Sequence, residues 1–204
     1  MVAKRQEEAS PDAVLTRIGQ AVMLHRGGDR EEARNRLAAL WQEVGPDGDS
    51  LHHCTLAHYL ADTQDDPADE LAWDLRALAA ADKLTRGPDG PADTRAGQAP
   101  TTGSTGPTTS RPGDAGEPGA DGRQGAAAVR GFYPSLHLNL AADYLKLGRL
   151  DAARAQLDLA TAASGALGDD SYGEGVRVAI GRMALRLSGA VSEHAAPPRQ
   201  RPWS

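Results

Sequence analysis

A stretch of 39 residues in the middle of the chain lacks every large apolar residue, which limits what the chain can fold into. Between Gly87 and Gly125, Gly and Pro supply 16 of the 39 residues, and Val, Ile, Leu, Phe, Trp and Tyr are absent. A segment with no apolar surface to bury cannot offset the entropy that it loses on ordering. We therefore predict a disordered insertion over 87–128, together with a flexible N-terminus at 1–10 and a disordered tail at 190–204.

The remaining residues favour an all-α protein. Aromatic residues make up 4% of the chain and Phe occurs once, so a core must be built mainly from Leu, Ala and Val. Apolar residues recur at helical spacing, as in the stripe of Ala33, Leu37 and Leu40 that follows the capping residue Asp29. Similar stripes predict about seven helices, which form three antiparallel pairs and a last helix that closes the end of the stack.

The third helical pair has the most specific pattern. Its small and large residues stand at the spacings of the tetratricopeptide repeat: His137, Leu140, Ala141, Tyr144, Gly148, Ala153, Leu157, Ala160 and Gly165. The pair resembles this family closely, but it has His137 where the family usually has Trp and Gly165 where it usually has Pro. The first pair fits more loosely, and the second needs about two extra turn residues in TQDDP.

The resemblance implies a right-handed superhelix of antiparallel helix pairs. Residues 11–86 would form two repeat-like pairs, and 129–189 would form the third pair and the capping helix of the same domain. Because repeat units rarely bury their apolar faces alone, we expect the two parts to stack despite the insertion. Two separate small domains are the alternative.

Charge and cysteine content exclude several classes of function. The formal net charge is -6 and no basic stripe is visible, so we expect no nucleic-acid partner. The single cysteine cannot form an internal disulfide, which suits a reducing compartment. The sequence contains neither an apolar run long enough to span a membrane nor a signal peptide, so we predict a cytoplasmic protein without a membrane partner.

In the repeat family, the first helix of each pair lines a concave groove that holds a peptide or a partner helix. The resemblance therefore implies a non-catalytic scaffold for protein–protein interaction. The Lys, Asn and Arg clamp that chaperone adaptors of the family use for a terminal carboxylate is missing. Matching positions predict a binding groove lined by Ile18, Val22, Arg26, Cys54, His58, Asp62, Leu138, Ala142 and Lys146, with Asn139 beside it.

The segment LHHCTLAHYLAD suggests another interpretation, because it holds three histidines and the only cysteine. On a helix, Cys54, His58 and Asp62 share one face, yet a single helix usually offers only two metal ligands. We expect His53 to lie inside its helical pair and to bond to a backbone carbonyl, and we predict no metal and no cofactor. The alternatives are a metal- or redox-responsive protein that uses Cys54 and His58, and a structural homo-oligomer.

Catalysis is not expected. Residues stacked along one helix leave His58 no independent approach to the Cys54 thiol, and nothing marks an oxyanion hole. The acidic residues of EEARNR and DDPADE are interpreted as solvated turns and helix N-termini.

Overall fold

The described part of the chain is all-helical, as predicted. The computed structural model describes the backbone of residues 11–86 and 120–195 and the side chains of 13–86 and 130–192. The helices are α1 (Pro11–Arg26), α2 (Arg30–Val44), α3 (Ser50–Asp62), α4 (Pro67–Arg86), α5 (Ala120–Lys146), α6 (Leu150–Ala163) and α7 (Ser171–Ala195), with a 3-10 turn at Ser164–Ala166. Within these ranges, no helix is both long enough and apolar enough to cross a membrane.

The first and third helix pairs are joined by the same turn. Gly28 (φ 94°) and Gly148 (φ 69°) adopt the left-handed conformation that suits glycine at a helix end. In each turn the glycine N–H donates to the carbonyl three residues earlier, and the N–H of the next residue donates to the carbonyl five residues earlier. The glycines singled out in the sequence therefore reverse the chain in the two pairs in the same way.

The second pair uses a different turn, which lies at 63–66 and has no glycine. It is longer than the other two turns by one residue, rather than by about two as predicted. Helix α2 holds it in place, because Arg30 Nε and Arg34 Nε donate to the Thr63 carbonyl at 3.0 and 2.8 Å. Both arginines also pair with the Asp65 carboxylate, at 2.8 and 2.7 Å. These ion pairs lower the pKa of Asp65 through the hydrogen bond from Arg34 and the charge of Arg30.

Fully buried alanines lie where helices approach closely. Ala21, Ala57 and Ala141 are buried in α1, α3 and α5, and Ala33 and Ala153 are buried in α2 and α6. A methyl side chain lets two helix backbones come close without leaving a void. Each helix packs against the next one along the chain, and α1, α3, α5 and α7 also contact one another in succession.

Helices α4 and α5 pack together across the insertion. Cys54, Ala77 and Leu136 belong to one apolar cluster, to which α3, α4 and α5 all contribute. The residues before and after the insertion therefore share a core.

Two helices are longer than expected. Helix α5 begins at Ala120, inside the predicted insertion, and Pro134, expected at its start, lies within it. The alanine-rich run at 126–128 favours this extension, although a proline inside a helix removes one backbone hydrogen bond. Helix α7 reaches Ala195 in the predicted tail, because no helix-breaking residue precedes Pro197. The predictions for 1–10, 87–119 and 196–204 concern residues outside the described ranges.

Candidate functional site

A surface groove runs between α1 and α3, and we refer to it as the α1–α3 groove. It has a volume of about 590 Å³, and its lining includes Leu15, Met23 and Arg26 of α1 and Thr55 and Tyr59 of α3. The Met23 side chain is unusually exposed for a large apolar residue, at 66%, and Leu15 is 37% exposed. An open apolar surface of this kind is typical of a site that another molecule covers.

The groove contains three of the predicted binding residues. Ile18 and Val22 form its floor, where they are almost fully buried and belong to the core cluster that also includes Leu56. Arg26, in the last turn of α1, is exposed at one end of the groove. Only Arg26 of the three therefore has a side chain that is free to reach a ligand without rearrangement of the core.

Cys54 lies inside the protein rather than on an open groove. Its side chain is 4% exposed and packs in the apolar cluster that contains Ala77 and Leu136. Burial, together with the negative charge of Asp74, raises the pKa of the Cys54 thiol to about 11. A buried thiol that stays protonated at neutral pH is a poor nucleophile and a poor metal ligand. These properties suit a packing role and give the redox alternative no support.

The predicted binding positions on α5 divide into two groups. Leu138 and Ala142 pack against the core cluster that includes Val176 and Ile180 of α7. The capping helix thus shares the layer that these two residues were expected to leave open. Asn139 and Lys146, in contrast, meet polar groups of α3 and α4.

Those polar groups form a network between the three helices, which we call the acidic cluster. It joins four carboxyl groups to a histidine, an asparagine and a lysine. Its members are His58 and Asp62 of α3, Glu70 and Asp74 of α4, and Asn139, Asp143 and Lys146 of α5.

Hydrogen bonds and short contacts connect the network across the helices. The Lys146 ammonium donates to Glu70 Oε2 at 2.5 Å and to Asp143 Oδ1 at 3.4 Å. Asn139 Nδ2 lies 3.2 Å from His58 Nδ1, which is 3.9 Å from Asp74 Oδ1. His58 is therefore placed between an amide on α5 and a carboxylate on α4.

Two carboxyl groups at the centre of the cluster are buried. Asp74 is 2% exposed and Asp143 is 1% exposed, and neither Asp74 Oδ1 nor Asp143 Oδ2 has a hydrogen-bond partner among the described residues. Burial raises the pKa of Asp143 to about 8, and the charges of Asp74 and Glu70 act in the same direction. Asp143 therefore keeps its proton at neutral pH, because two adjacent buried carboxylates repel each other.

The other titratable groups respond to the same field. Burial disfavours the charged form of His58, but the carboxylates of Asp74 and Asp62 outweigh this effect and raise its pKa. Burial raises the pKa of Asp62, and nearby Asp74 adds to the increase although His58 opposes it. For Lys146, burial lowers the pKa, but the hydrogen bond to Glu70 outweighs it and the net pKa is raised.

Sequence reasoning missed the three carboxylates that complete this network. Glu70 belongs to the DDPADE stretch interpreted as solvated, but it pairs with Lys146 and its side chain is only 20% exposed. Asp74 and Asp143 interrupt the buried stripes of their helices, next to Leu71 and Ala77 in α4 and next to Ala141 in α5. A charged residue on an apolar stripe was the signal that could have revealed them.

The remaining histidines have ordinary partners. His53 Nε2 lies 2.8 Å from the Gly45 carbonyl, which confirms the expected bond to the backbone, and its ring meets Trp41 edge to face. His137 Nδ1 lies 2.8 Å from Gln156 Oε1 of α6. Across the described ranges, no three His, Cys, Asp or Glu side chains are arranged to hold a metal ion.

Comparisons with protein-family models, with curated proteins and with solved structures found no match to this chain.

Proposed function

We propose that this protein is a non-catalytic, tetratricopeptide-repeat-like scaffold that binds a peptide or a helix of a partner protein in the α1–α3 groove. The observation that carries the proposal is the groove itself, with its exposed apolar side chains Met23 and Leu15. Burial of an apolar stripe, with a few polar groups that set the register, is how helical grooves commonly recognise peptides.

Two features of the fold support the comparison with the repeat family. The first and third helix pairs share one glycine turn, and buried alanines occupy equivalent positions in α1, α3 and α5. The successive contacts among α1, α3, α5 and α7 suit a right-handed superhelix in which these helices line one face.

The proposal can be tested with random peptides displayed on phage and selected on the full chain. Affinities of the selected peptides would then be measured by fluorescence anisotropy for the native protein and for two variants. Met23→Glu places a charge in the groove, whereas Leu185→Glu places the same charge at a 76% exposed apolar residue on α7. Both replaced side chains are exposed, so we expect neither variant to unfold.

We expect Met23→Glu to weaken peptide binding by about tenfold or more, because a charge replaces an apolar contact. Leu185→Glu should leave the affinity unchanged. Equal loss in both variants, or selection of no peptide at all, would count against the groove as the binding site.

A further inference from the structure

The acidic cluster carries more negative charge than its own cations balance. With Asp143 protonated, three carboxylates remain, at Asp62, Glu70 and Asp74, and they face one lysine and one histidine. Excess charge of one sign in a partly desolvated place is costly unless a counter-charge is supplied. The cluster is therefore suited to a further cation.

The two unpartnered oxygens show where such a cation would be held. Asp74 Oδ1 and Asp143 Oδ2 belong to different helices, α4 and α5, and both are buried without a donor in the described part of the chain. A buried carboxylate oxygen that lacks a donor costs free energy comparable to a lost hydrogen bond. A ligand with several N–H groups would recover this cost from both sides of the cluster.

Lys146 already fills part of the place that a ligand cation would take. Its ammonium lies between Glu70 and Asp143, yet it leaves Asp74 Oδ1 and Asp143 Oδ2 without a partner. The Lys146 side chain is 40% exposed, so it can turn into solvent at little cost. Its departure would open the cluster to a cation from outside.

Donor geometry favours a guanidinium over other cations. A guanidinium presents five N–H donors in a planar fork and can bridge two carboxylates, whereas an ammonium acts as a point charge. A metal ion is disfavoured because no three potential ligands converge suitably in the described ranges.

We infer that the acidic cluster is a receptor site for a guanidinium group, supplied by an arginine side chain of the peptide that occupies the α1–α3 groove. The arginine source rests on the proposed function, whereas the guanidinium site does not. Helix α3 connects the two places, because Tyr59 lines the groove, its neighbour His58 belongs to the cluster, and their rings are 5.0 Å apart.

The site can be tested without a known partner. The probe is N-acetylarginine amide, added to the full chain near neutral pH and followed by titration calorimetry and by the Asn139 side-chain amide resonance. N-acetylcitrulline amide, which has a similar shape but no charge, is the control. We expect the arginine probe to bind and the citrulline probe to give neither heat nor a shift of the resonance. Equal behaviour of the two probes would overturn the inference.

Substitutions in the cluster should change the affinity in opposite directions. Asp74→Asn removes a buried acceptor charge and should weaken arginine binding by about tenfold or more. Lys146→Gln removes the internal competitor and should strengthen it. Asp158→Asn removes the same charge from an exposed position on α6 and should have no effect.

Asp62→Asn, at the exposed rim of the cluster, gives a second test if Asp74→Asn fails to fold, and it should weaken binding up to about fivefold. Unchanged affinity in both the Asp74 and Asp62 variants, or weaker binding in Lys146→Gln, would contradict a guanidinium site.

Peptides distinguish the two sources of the guanidinium. For a groove-binding peptide, replacement of its arginine by citrulline should weaken binding to the native protein but not to Asp74→Asn. If peptide binding depends on Met23 but not on the arginine, the proposed function stands and this inference fails. If the free arginine probe binds and no peptide does, the site stands, its ligand is a small guanidinium compound, and the proposed function fails.

Discussion

Replacement of Asp143 by asparagine should change how the stability of the protein depends on pH. Asp143 is 1% exposed, and its pKa is raised to about 8 by burial and by Asp74. In the unfolded chain, an aspartate has a pKa of about 4. Between about pH 4 and pH 8 the folded protein therefore keeps a proton that the unfolded chain releases, so the free energy of unfolding falls as pH rises.

The size of this effect follows from the shift in the pKa of Asp143. Each unit of difference in pKa corresponds to about 1.4 kcal/mol, so a shift of roughly four units has an upper limit of about 5 kcal/mol. Asparagine has nearly the same shape and cannot ionise. At about pH 8.5 we expect Asp143→Asn to be more stable than the native protein by about 2–5 kcal/mol, and near pH 5 the difference should almost vanish.

Urea unfolding followed by the helical circular dichroism signal would measure this difference at the two pH values. Asp158→Asn is the matched control, because this exposed carboxyl should leave the pH dependence unchanged. A stability difference between native and Asp143→Asn that is the same at both pH values would refute the reasoning. So would a variant that is less stable than the native protein at the higher pH.

Three further predictions concern the turns, the core and the thiol. Gly148→Ala, at a φ of 69°, should lower the free energy of unfolding by about 1 kcal/mol, whereas Gly175→Ala, in open space on α7, should raise it by up to about 1 kcal/mol; thermal or urea unfolding would contradict this if the two changes had the same sign. Ala57→Leu should cost about 1–3 kcal/mol because Ala57 is fully buried, while Ala155→Leu on the exposed side of α6 should cost little; equal urea midpoints for the two variants would argue against close packing at Ala57. Cys54 should react with a disulfide reagent near neutral pH only as fast as the chain opens, and rapid labelling of the folded protein, compared with the same chain in urea, would show that the thiol is accessible.

The helical fold was predictable because its signals are local. Leu37 and Leu40 recur at helical spacing, and Gly28 and Gly148 mark the turns of two pairs. The ends of α5 and α7 were less predictable, since an alanine-rich flank such as 126–128 can extend a helix without an apolar stripe to indicate it.

The candidate site was only partly predictable, because periodicity identifies residues that share a face but not what covers that face. Cys54 and His58 share a face of α3, yet Cys54 is buried among Ala77 and Leu136, whereas His58 joins the acidic cluster. The cluster depends on residues that meet only after folding, such as His58 and Asn139, which lie 81 positions apart. Local sequence patterns contain no information about that encounter.

The position of a bound peptide relative to α1 is the most direct test of the proposed function. A photo-crosslinking residue, p-benzoylphenylalanine, would replace either Met23 in the groove or Leu185 on α7, and mass spectrometry would identify the crosslinked products of a selected peptide. We expect the peptide to be captured from position 23 and not from position 185. Capture from position 185 alone, equal capture from both, or capture from neither would contradict a binding site in the α1–α3 groove.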